Sequence, residues 1–123
     1  MRQITFAIAA VMGVMCFSMP GHAQNEKWSP WGCVDNSNNC GIQYHWARNP
    51  GLTPENGNLV MEFRTAVGGY ANYSFKVSYL ANVGGQAQSR QTTFRVYMGG
   101  NNSPTRATGS AQGNAVTTVE AQQ

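Results

Sequence analysis

Charge is what this sequence has least of. Only 11% of its residues are charged, eight basic against five acidic, for a formal net charge of +3. A charge this mild, scattered without a basic run, excludes a disordered polyelectrolyte and a dedicated nucleic-acid binder. Histidine is scarce as well, with two in 123 residues, and cysteine occurs three times. Beyond the N-terminal segment no stretch repeats its apolar residues at helical spacing over a useful length. The length has room for one domain, not two.

One long apolar run is present, from Ile4 to Phe17, broken only by Thr5 and Gly13. Arg2 precedes it, Ser18-Met19-Pro20 ends it, and Gly21-His22-Ala23 sets small residues before a cleavage point. A membrane-spanning helix needs about 20 apolar residues. The pattern therefore predicts a secretory signal peptide over 1–23, cut after Ala23. The expected product is one domain over 24–123, secreted or periplasmic, with no membrane span. Cys16 and His22 leave with the leader. Cys33, Cys40 and His45 remain, with seven basic and five acidic residues.

Two cysteines in an exported chain predict a disulfide, Cys33–Cys40. Its spacing is not Cys-x-x-Cys, so its expected role is to pin a polar loop, not redox chemistry. That loop, Asp35-Asn36-Ser37-Asn38-Asn39, has the oxygen side chains of a calcium loop's first half. Cys40 stands where the loop glycine belongs and Trp46 where the closing glutamate belongs, so no metal site is expected. No cofactor is expected either.

The remaining periodicity is two. Large and polar residues alternate in Ile42–Trp46, Leu59–Val67, Asn72–Tyr79 and Thr92–Met98, more weakly in Ala115–Val119, with a further run around Lys27–Val34. Asn49-Pro50-Gly51 and Pro54 to Gly57 punctuate the second run. Gly68-Gly69 suggests a tight hairpin, and Gly84-Gly85 the start of a polar connection. These signals predict an all-β fold, a small antiparallel β-sandwich, with an immunoglobulin-like or open-barrel arrangement as the alternative. The expected core is Tyr44, Trp46, Leu59, Met61, Phe63, Tyr73, Phe75, Val77, Phe94 and Val96. Glu62, Arg64, Lys76 and Arg95 fall on the opposite faces.

Catalytic constellations are not legible. One histidine remains after the leader, on the strand face opposite Tyr44 and Trp46, with no partner evident from the sequence. No serine stands in a Gly-x-Ser-x-Gly elbow. Of the acids Glu26, Asp35, Glu55, Glu62 and Glu120, only Glu62 lies within one of the four regular alternating runs. An enzyme is not expected.

The most distinctive local feature is Trp28-Ser29-Pro30-Trp31-Gly32-Cys33. Over these six residues it superficially resembles the opening of a thrombospondin type 1 repeat. That family carries several more cysteines and a layered arginine stack, which this sequence does not display, and the chain is assigned to no family. The tryptophans are expected either to cap one end of the core or to form an exposed aromatic platform, extended by His45 and Tyr97. Trp28, Trp31, His45 and Tyr97 are thus the candidate binding residues. The expected function is a non-catalytic exported module that binds a glycan or an extracellular or envelope protein, not nucleic acid. The alternatives are a small inhibitor or effector acting through loop 33–40, and a structural surface subunit.

Overall fold

Alternation is what builds this protein. A computed structural model of the chain describes residues 26–122; the predicted leader over 1–23 lies outside them. The regular elements among the described residues are all strands: β1 (Gly32–Cys33), β2 (Ile42–Thr53), β3 (Asn56–Thr65), β4 (Ala71–Val83), β5 (Gln86–Met98), β6 (Thr105–Arg106), β7 (Gln112–Gly113) and β8 (Ala115–Ala121). They form two antiparallel sheets. The first runs β1-β2-β3-β6, with β7 also on β3, and the second runs β5-β4-β8. No helix among the described residues is long and apolar enough to cross a membrane.

β3 shows the cause most plainly. Its residues alternate between buried and half-buried along its whole length. Leu59, Met61 and Phe63 face Phe75, Val77, Phe94, Val96 and Met98 from the second sheet. The Phe63 and Phe75 rings stack 4.2 Å apart across the layer. Each such side chain contributes about 1.5–3 kcal/mol on leaving water. Tyr44, Trp46 and Tyr73 pack against this cluster from its margin.

Both seams between the sheets are stitched. Val34 donates to Ile42 of β2, and the next residue, Asp35, donates to Val119 and accepts from Ala121 of β8. On the other side Ala107 donates to Met61 of β3, while Thr108 exchanges two backbone bonds with Arg95 of β5. One strand-like segment on each side thus leaves the first sheet and pairs with the second. This provides partners for backbone groups that an open edge leaves unpaired.

Three turn expectations change. Gly68-Gly69 is not a tight hairpin, because the flanking strands lie in different sheets and residues 66–70 carry the chain between them. Gly84-Gly85 is itself the whole turn. Both residues have positive φ, +60° and +82°, which suits a two-residue type I′ hairpin. The polar stretch behind it is the first half of β5. Pro50 and Gly51 do not end β2; a register shift between Asn49 and Thr53 absorbs them, and an irregularity of this kind tolerates a missing N–H.

Candidate functional site

The predicted disulfide is present, joining Cys33 and Cys40. Inside its loop Asn38, Asn39 and Cys40 follow one another in left-handed backbone, with φ of +53°, +54° and +61°. The amide N–H of Gly41 closes this turn onto the carbonyls of Ser37 and Asn38. Asparagine enters that region at low cost, which accounts for the loop's composition.

Three of the four candidate binding residues meet on the outer face of the first sheet. Ser29 lies beside β2: its N–H donates to the Trp46 carbonyl and its hydroxyl accepts from the Trp46 N–H. The indoles on either side of it reach His45. Trp28 stacks on the imidazole at 4.2 Å and Trp31 at 3.8 Å, each 13° from parallel. Two near-parallel rings this close to one imidazole would overlap if they shared a face, so they take opposite faces. His45 is 8% exposed. Its Nε2 lies 2.8 Å from Glu62 Oε1, and since a carboxylate only accepts, the imidazole donates.

Arginines continue the stack at both ends. The Arg64 guanidinium lies 3.8 Å from the Trp31 ring and that of Arg106 lies 5.6 Å from the Trp28 ring. Arg64 Nε donates to Gln43 Oε1 at 2.8 Å. Arg106 pairs with Glu26 at 2.6 Å, and Glu26 also accepts from the Asn49 amide. The ladder therefore reads Arg106, Trp28, His45, Trp31, Arg64.

Two expectations are corrected here. His45 is not a partnerless surface residue; it is the central rung. A layered arginine stack does exist, assembled without the extra cysteines, from arginines on β3 and β6. Trp28 and Trp31 are not part of the buried core cluster. They lie outside the sheet, and the flat faces a sugar ring would use are occupied by His45 and the guanidiniums. Arg64, Arg106 and Glu26 were missed as members of the site. Only the β2–β3 register, which sets His45 opposite Glu62 and Gln43 opposite Arg64, reveals them.

Tyr97 does not join this group. It lies on β5, in the other sheet, 59% exposed. Its ring is 5.3 Å from that of Tyr70, which is 62% exposed and comes from the crossover 66–70. Asn101 Nδ2 donates to the Tyr70 hydroxyl at 3.3 Å, and Asn72 is the cross-strand neighbour of Tyr97. The same crossover supplies Val67, which walls an open hollow of about 430 Å³ against the disulfide loop. Ser37, Asn38, Thr65 and Tyr73 also line it. Two exposed phenols, several amide side chains and a largely apolar hollow thus gather around this crossover.

Among the described residues, no group of three or more His, Cys, Asp or Glu is placed to hold a metal ion. Comparison with known proteins finds no match: no family model fits the chain, and no curated protein or solved structure matches it.

Proposed function

We propose that this chain is exported by a cleaved N-terminal signal and acts outside the cytoplasm as a non-catalytic β-sandwich module that binds a glycan. The Tyr70–Tyr97 pair carries the reading. Exposed aromatic rings beside amide side chains suit sugar recognition, because the ring takes the apolar face of the sugar and the amides take its hydroxyls. The disulfide supports an oxidising compartment. The absence of catalysis is supported by the engagement of His45, whose ring is stacked on both faces and whose Nε2 is bonded to Glu62.

The test is a glycan array followed by calorimetry on the hits. Tyr97→Ala and Tyr70→Ala should each weaken binding by about tenfold or more, with the circular dichroism spectrum unchanged. Lys76→Ala, on the same sheet but away from the phenols, should bind as the parent does. No glycan binding, or binding indifferent to both tyrosines, sinks the reading. Capture of a purified envelope protein through the same tyrosines would replace the glycan with a protein.

A further inference from the structure

Among the described residues, the side of β5 turned away from β4 leaves a run of sheet edge open. On the side of β4 turned away from β5, Gln122 meets the Ser74 carbonyl, Asn114 the Leu80 carbonyl, the Thr117 hydroxyl the Ser78 carbonyl, and the Asn56 side chain both backbone groups of Asn82. β5 differs. Arg95 exchanges both its backbone bonds with Thr108, at 2.9 and 2.7 Å, so its polar groups point away from β4. In an antiparallel ladder every second residue points the same way. The register of β5 on β4 is unbroken over Gln86–Met98, so Thr93, Gln91, Ser89 and Ala87 also turn their N–H and C=O groups outward. None of these groups meets a partner among the described residues.

The exposed stretch carries one of the usual defences, a single charge. Natural edges are guarded by charge, proline, bulges or a covering segment. Gln86–Thr93 has no proline, no bulge and one charged residue, Arg90. The cover that Thr108 provides ends there, because the chain turns back to β3 through the bond from the Leu59 N–H to the Ala111 carbonyl. Residues 86–91 are exposed on both faces.

We propose that this edge pairs with the β5 edge of a second copy of the chain, antiparallel, about a twofold axis through Ser89. The register is the one that pairs the most outward residues without setting like charges opposite or displacing Thr108. Outward residues must meet outward residues, which leaves axes through single residues. An axis at Arg90 sets two guanidiniums directly opposite each other. An axis at Gln91 brings Ala87 against Arg95, whose bonds Thr108 already holds. An axis at Gln88 pairs only Ala87 with Ser89 of the second copy and leaves Gln91 beyond the end of the other strand. The axis at Ser89 pairs Ala87 with Gln91 of the second copy and sets Gln88 against that copy's Arg90, with no like charges facing. The result is one continuous sheet of two three-stranded halves. A single short strand pair buries little surface, so the dimer is weak, with a Kd on the order of 100 μM.

The inference goes beyond the glycan reading and uses backbone that reading leaves idle, so either can fail alone. Sedimentation equilibrium of the purified protein from about 10 μM to about 1 mM should show the mass rising toward twice the monomer. Gln88→Glu, opposite Arg90 of the second copy, should tighten the dimer roughly two- to tenfold, and Gln88→Lys should weaken it as much. Ser89→Pro, which removes an outward N–H and no bond to β4, should leave a monomer. If that variant unfolds, the Gln88 pair still decides. A monomer throughout the range overturns the proposal, as does a dimer whose affinity ignores all three substitutions.

Discussion

Nε2 of His45 on β2 lies 2.8 Å from Oε1 of Glu62, its direct cross-strand partner on β3. The contact fixes the imidazole as the rung on which Trp28 and Trp31 close. Stacked aromatic pairs contribute about 0.5–1.5 kcal/mol each beyond their burial. His45→Ala removes two stacks, opens a gap between two indoles and strips Glu62 of its donor. It should lower the unfolding free energy by about 2–4 kcal/mol in urea titration. Tryptophan fluorescence should shift to the red as the indoles meet water. Glu62→Gln should cost less, about 1 kcal/mol, since the amide oxygen still accepts.

The two arginine ends of the ladder are unequal. Arg64 sits 3.8 Å from its indole and is anchored by Gln43, whereas Arg106 sits at 5.6 Å with its side chain 43% exposed. A cation over an aromatic face contributes about 0.5–1 kcal/mol in the open and about 2 when shielded. In double-mutant cycles with its indole, Arg64 should therefore couple to Trp31 by about 1–2 kcal/mol and Arg106 to Trp28 by about 0.5 kcal/mol. Arg106→Ala alone should cost more than that coupling, because it strips the Glu26 carboxylate, 5% exposed, of this cation. The order of the two couplings in denaturant melts is the check: equal couplings would mean that the stack does not discriminate by distance. Added salt should weaken the Arg106–Trp28 contact first, because Arg106 is the more exposed of the two arginines.

These members of the ladder mark where sequence reading stopped. Alternation identified β2, β3, β4, the second half of β5 and most of β8, and with them Phe63, Phe75 and Phe94 as core, because one residue in two faces the other sheet. It also set His45 and Glu62 on outward faces. It carried no sign that residues 26–31 fold back over that face, since the rungs come from segments as far apart as Trp28 and Arg106. Gln86–Gln91 failed for the opposite reason. Both its faces are wet, so nothing alternates, and only pairing with β4 makes it a strand. The Gly68-Gly69 signal was real as a change of direction, but direction alone does not distinguish a hairpin from a crossover between sheets.

The disulfide loop should be the least forgiving short segment. Cys40 holds φ of +61° within three successive left-handed residues, a conformation that non-glycine residues rarely keep unless their surroundings fix it. The bond closes a short ring, for which the chain-entropy account gives about 2.5 kcal/mol. Cys33→Ser/Cys40→Ser should lose about that much stability in equilibrium denaturation. Amide exchange should accelerate at Gly41, whose bonds close the turn, and stay slow in β4. An unchanged Gly41 would show that the Asn-rich turn holds itself. Reduction of the parent protein should reproduce the double variant.

Tyr44 supplies a pH dependence with a definite sign. Its phenol is pushed above the ordinary value of 10.0 by burial first, and then by the negative charge of Asp35. Both causes disfavour the phenolate in the folded state, so the unfolded chain gives up this proton first as pH rises. The contribution is therefore complete below about pH 10, the unfolded value, and is lost as pH climbs through the higher folded value. Stability measured by denaturant from about pH 8 to about pH 12 should fall on the alkaline side. Tyr44→Phe should flatten that fall, because the ring stays and the proton goes. Asp35→Asn should recover only part of it, since burial is the larger cause and the seam at Asp35 uses only its backbone. The test is the difference between parent and Tyr44→Phe. Parallel curves would mean that Tyr44 ionises alike in both states.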